Sequence, residues 1–129
     1  MTEHELYRWI HDHFSKSMDV TRIENIAGSG MPDLNLCHIG FEVWLECKCL
    51  SPRLVLLRPE QYAWGVRRAN HGGLVFVIDR PVNEPVFFIW EFPRIVVKPA
   101  GKYVRITNAP GWEINQDPRQ LLKVLFPML

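Results

Sequence analysis

Cysteine is scarce and odd in number. The 129-residue chain has three, so they cannot all pair, and no Cys-x-x-Cys pair occurs. The five histidines are scattered, which leaves neither a disulfide framework nor a zinc site to expect. Cys37, Cys47 and Cys49 read as small core residues in a reducing compartment. No apolar run approaches the roughly 20 residues of a membrane span. The opening MTEHELYRWIHDHF is too acidic and amphipathic for a signal peptide. The expected location is the cytoplasm, that of a host cell if the protein is phage-encoded. Net charge is only +1, so no global basic field announces a nucleic-acid partner. Internal repeats and low-complexity stretches are also missing. What remains, with 47% hydrophobic and 22% charged residues, is the make-up of one globular domain over residues 1–129, long enough to bury a core without staples.

The order of local signals is helix, three strands, helix, strand. Thr2-Glu3-His4-Glu5 reads as a capping box for a helix to about Ser15, with Leu6, Ile10 and Phe14 on its inner face. Asp19 to Ile26 alternates as a strand, and Ala27 to Pro32 is a loop whose glycines permit close backbone approach. Leu34 to Cys37 and Phe41 to Cys49 form a hairpin about a turn at His38-Ile39-Gly40. After an irregular stretch, Pro59 opens a helix to Asn70 that stops at Gly72-Gly73. Leu74 to Ile78 is apolar throughout, as in a central strand covered on both faces. The prediction is an α/β fold with a mixed sheet flanked by helices. Residues 79–129 carry the short β-like runs VFFIWE, RIVVK and KYVRIT between prolines. A helix capped by Asp117 follows, so this part extends the same domain by completing the sheet or forming a subunit interface.

Chemistry concentrates on the hairpin. Successive strand residues point to opposite faces, so Glu46 and Lys48 share one face about 7 Å apart, with Cys47 and Cys49 on the other. Pairing of the two strands brings Asp33 beside Glu46. Ionised groups on an apolar strand are costly unless paired or bound to a metal. Hard oxygens from Asp33 and Glu46, with the Cys47 backbone carbonyl as a third ligand, suit Mg²⁺ or Mn²⁺. Lys48 would then orient an attacking water or stabilise charge on a phosphate. From the first helix Glu3 is the better carboxylate donor, because Glu5 is engaged as the capping partner. Gln61 and Arg68 share a face of the later helix and could contact phosphate. Between Lys48 and His71 stand Lys48, Arg53, Arg58, Arg67 and Arg68 against the single acid Glu60, a basic segment next to the acidic site. The plainer alternative is a buried carboxylate–lysine ion pair without catalysis, which gives little net stability. Trp44, on the face of Glu46, reads as core rather than as a base-stacking platform.

Pro32-Asp33 and Glu46-Cys47-Lys48, in this order of elements, resemble the signature of the PD-(D/E)xK nucleases. The Gly-Ser-Gly loop, the Glu-x-Lys strand and the helix with Gln61 ahead of LVFVI resemble in particular the VRR-NUC branch and the archaeal-type Holliday junction resolvases, over residues 2 to 78. The resemblance implies a restriction-endonuclease-like αβββαβ core with a C-terminal β-rich extension and short helix. It implies a Mg²⁺- or Mn²⁺-dependent endonuclease acting on DNA, often as a homodimer on branched or flapped structures. Asp33 and Glu46 would be metal ligands and Lys48 the catalytic lysine. Glu3 would match the family's helix glutamate and Gln61 its post-strand glutamine. Ser29, Arg53, Arg58, Arg67 and Arg68 are the expected DNA contacts. The alternative within the same fold is a DNA-binding module without catalysis.

Overall fold

The structure, a computed structural model, describes residues 1–24, 29–50 and 54–129. Helix α1 (Glu3–Phe14) starts on the expected capping box: the Thr2 hydroxyl accepts from the Glu5 N–H at 3.1 Å, and Glu5 Oε1 accepts from the Thr2 N–H at 3.4 Å. Leu6, Ile10 and Phe14 are buried. The chain then forms an antiparallel meander of β1 (Asp19–Arg22), β2 (Leu34–His38) and β3 (Phe41–Lys48). The first strand is shorter than its alternation suggested. It ends at Arg22, and one further bond, from the Ile23 N–H to the Asp33 carbonyl at 2.7 Å, carries pairing past its end. Asn25 and Ile26 of the expected strand lie outside the described residues. The β2–β3 turn is Ile39-Gly40, with φ of 51° and 79°. Both values are left-handed, as in the type I′ turns that match the twist of a hairpin.

The two-residue strand β4 (Leu56–Leu57) precedes α2 (Pro59–Asn70), which leads into β5 (Leu74–Asp79). β5 lies parallel to β3, with Glu46 opposite Val77 and Lys48 opposite Asp79. Antiparallel β6 (Val86–Glu91) follows. The small strands β7 (Val97–Ala100) and β8 (Tyr103–Ile106) pair with β4 as a second sheet. β9 (Trp112–Asn115) closes the main sheet in the order β1-β2-β3-β5-β6-β9. Asp117 Oδ1 then caps α3 (Pro118–Leu125), accepting from the Arg119 N–H at 2.7 Å. Among the described residues only β3 and β5 pair in parallel, so the sheet is mixed, as predicted.

Alternation along β3 divides the core. Val43, Leu45 and Cys47 pack with Leu6, Ile10 and Leu121 under α1 and α3. On the opposite face Trp64 of α2 packs with Val75, Val77 and Phe92. Gly65 lies mid-helix because a Cβ there would come within 2.5 Å of the Phe92 ring. The C-terminal extension therefore serves both sheets. RIVVK was expected as a strand, but the ladder begins only at Val97, and Ile95 is buried without joining it.

Candidate active site

The hairpin register sets the site. Leu34 pairs with Leu45, so one step further Asp33 and Glu46 face each other where β2 begins and β3 ends. Asp33 is fixed by backbone, its Oδ2 accepting from the Cys47 N–H at 2.8 Å. Glu46 is 4% exposed on the face covered by α2. Its Oε2 accepts from Lys48 Nζ at 3.3 Å and from Gln61 Nε2 at 2.9 Å. Among the described residues its buried Oε1 has no hydrogen-bond partner. Gln61 is held at both ends, since its Oε1 accepts from the Arg58 N–H at 2.8 Å. The loop before Asp33 presses on the same helix start: a Cβ on Gly30, at φ +70°, would meet the Glu60 carbonyl oxygen. Glycine allows that approach and the left-handed backbone together.

Crowding of carboxylates in a dry corner sets the electrostatics. Burial, and then the charge of Asp33 beside it, push the Glu46 carboxyl up to about 8, against the pull of Lys48. Burial also raises half-buried Glu3, partly offset by Lys48 and reinforced by Asp33. Glu3 therefore faces both groups from α1. Burial and then Asp33 raise the Tyr7 phenol, whose side chain is in hydrogen-bonding reach of Asp33. The fully buried Cys47 thiol is raised well above its usual value, mainly by burial, which makes it inert.

The residues expected from sequence fall into two groups. Asp33, Glu46, Lys48, Glu3 and Gln61 converge, with the Cys47 backbone among them. The proposed DNA contacts are dispersed. Arg58 borders the site through its backbone, and its side chain pairs with Glu60 at 3.4 Å. Arg67 is exposed on α2, whereas Arg68 lies over Trp44 and Trp64 with Cζ at 5.1 and 5.3 Å from the ring centroids. Exposed Ser29 accepts from the Met31 N–H at 3.4 Å. Arg53 lies outside the described residues. Tyr7 was not anticipated. The available signal was its place one turn after Glu3 on the same helix.

The donors suit a hard divalent cation. Two adjacent carboxylates, one with a buried bare oxygen, favour an oxygen-seeking ion over a soft one. Among the described residues no three His, Cys, Asp or Glu side chains gather as a metal cage. An ion here would keep waters in its shell, as Mg²⁺ habitually does.

No protein-family model matches the sequence, and neither does any curated protein. Among solved structures the chain is similar to Hjc of Archaeoglobus fulgidus, a Holliday junction resolvase from an archaeal hyperthermophile. The two superpose with a TM-score of 0.54 at 12% identity, over 92% of each chain. The protein thus has the restriction-endonuclease-like fold of that resolvase, across the C-terminal extension as well as the core.

Proposed function

We propose that this protein is a divalent-metal-dependent endonuclease that hydrolyses DNA phosphodiester bonds, with branched or flapped DNA as substrate and two copies of the chain acting together. The observation that carries the reading is the pairing of Asp33 with a Glu46 whose second oxygen is buried and unsatisfied beside Lys48. Asp33, Glu46 and the Cys47 carbonyl would hold Mg²⁺ or Mn²⁺. Such an ion, when bound, acidifies water and neutralises phosphate charge. Gln61 and Lys48 hold Glu46 by one oxygen and leave the other to the metal. Lys48, with a side chain only 15% exposed, presents a largely desolvated ammonium. It orients the attacking water and stabilises negative charge developing on the phosphate. Glu3, facing Asp33 and Lys48 from α1, would accept a hydrogen bond from a water held in the site.

The test is cleavage of a four-way junction, a flapped duplex and a linear duplex in Mn²⁺, with Lys48→Ala as control. Wild type is expected to cut the branched substrates faster. The variant is expected to lose cleavage yet still gain thermal stability from Mn²⁺. Binding of DNA by wild type without cutting any substrate would return the reading to a non-catalytic module. Full activity in Lys48→Ala would remove the lysine from the mechanism.

A further inference from the structure

Beyond Glu46, the same face of β3 leads to a surface cavity of about 550 Å³, within the usual range for small-molecule pockets. Trp44, Arg68, His71, Glu42, Phe41 and Gly73 line it. Trp44 is two residues from Glu46 and on its side of the strand, hence about 7 Å away along the chain. Trp44 is half-buried and meets Trp64 edge-on at 5.2 Å. The Arg68 guanidinium lies over both rings. This placement is built into the helix end: a Cβ on Gly73 would stand 2.8 Å from Arg68 Cγ and 2.9 Å from its carbonyl oxygen. Among the described residues Arg68 has no carboxylate partner, so its planar fork of donors stays available.

We propose that this cavity receives an unpaired nucleobase of the strand whose phosphate lies at Glu46 and Lys48. The preferred substrate is then a DNA with unpaired nucleotides at the cut, such as a flap, rather than a fully paired junction. The inference rests on the nuclease reading above and names its substrate class. An arginine layered on tryptophan is a flat, positively charged platform of the kind that holds single strands, because every base offers a face to stack. A base paired within a duplex is already stacked on its neighbours and cannot enter. A duplex-backbone track would need several cations to neutralise phosphates, whereas the lining of this cavity includes Glu42 as well as Arg68 and His71.

Two measurements decide it. In the first, flapped DNAs carrying one abasic nucleotide at successive positions around the cut are cleaved in Mn²⁺. For wild type, one position is expected to raise KM by about tenfold or more, the scale of one lost base stack, with kcat little changed. Arg68→Ala and Trp44→Leu should raise KM on the intact flap and abolish the abasic penalty, while Trp44→Phe, which keeps a stacking ring, should restore both. Tolerance of abasic nucleotides at every position, or an undiminished penalty in Arg68→Ala, overturns the inference while leaving the nuclease reading intact. In the second, a short mixed-sequence single strand is titrated without metal and tryptophan fluorescence followed. Quenching in wild type and its loss in Arg68→Ala support the cavity even if no DNA is cleaved. Equal quenching by blunt duplex overturns it.

Discussion

Glu46→Gln isolates the strain of the carboxylate pair. The substitution keeps the shape of the side chain and an oxygen to accept from Lys48 and Gln61, but removes the ionisable group. In the native protein burial, and then the charge of Asp33, push the carboxyl up to about 8, against the usual glutamate value of 4.5. A carboxyl raised on folding contributes stability that is fully present below pH 4.5 and lost as pH rises through 8. At about 1.4 kcal/mol per pH unit, metal-free wild type should lose roughly 3 kcal/mol between pH 5.5 and pH 8.5 through this group. For a chain of 129 residues that amounts to a fall in Tm of roughly 10 °C. Thermal melts with chelator at both pH values measure it, and the difference between wild type and variant cancels the other titrating groups. The variant should match wild type near pH 5.5 and exceed it at pH 8.5. Mg²⁺ or Mn²⁺ should restore wild type at pH 8.5, because the ion binds the ionised native pair, and should do little for the variant. Parallel pH profiles for the two proteins would refute the reasoning.

Gln61→Leu strands the Arg58 N–H and removes one donor to Glu46. It should lower cleavage by about 10- to 100-fold, as losses of groups that orient a metal ligand do, and stability by about 1–3 kcal/mol. Paired kinetics and urea titration read the two effects. Gly30→Ala drives a methyl into the Glu60 carbonyl at a left-handed φ of +70° and should cost at least about 2 kcal/mol by urea titration, with slower cleavage because the loop carries Asp33. Ile39→Asn should act the other way. Ile39 is β-branched, 75% exposed and at φ 51°, so asparagine should add about 1 kcal/mol, seen as a Tm a few degrees higher.

The first 78 residues were largely legible because their signals are local. Thr2 and Glu5 announce their cap, Pro59 and Gly72 bracket α2, and a period of two on FEVWLECK assigns each residue a face. Hairpin pairing follows from a short turn, expected over His38-Ile39-Gly40 and found at Ile39-Gly40, which is why the approach of Asp33 to Glu46 could be foreseen. Signals that require distant partners were not readable. Leu56–Leu57 is a strand only because Val104 and Arg105 pair with it, and Trp112–Asn115 only because β6 offers an edge. Arg68 looked like a helix-face cation aimed at phosphate, yet its position depends on Trp44 across the sheet and on the missing Cβ of Gly73. Tyr7 was passed over because an aromatic beside a buried helix face ordinarily means packing.

The arrangement of donors argues against a purely structural ion pair. If Lys48 existed to neutralise the two carboxylates, the economical geometry would place its ammonium between them and satisfy each oxygen. Instead Lys48 and Gln61 both serve Glu46 Oε2, leaving Oε1 buried and bare. Asp33 meanwhile spends one oxygen on the Cys47 N–H. A bare buried carboxylate oxygen costs about 1–3 kcal/mol or more when nothing is bound. Burial of the charge, and then the like charge of Asp33 beside it, add to that cost, which the rise of Glu46 to about 8 records. The supports are correspondingly rigid: a glutamine fixed at both ends, a glycine that alone fits against Glu60, and a backbone N–H in a strand. Strain held in place by groups with no freedom to relieve it is intelligible if a cation relieves it, because the ion then binds a site whose shape is already set.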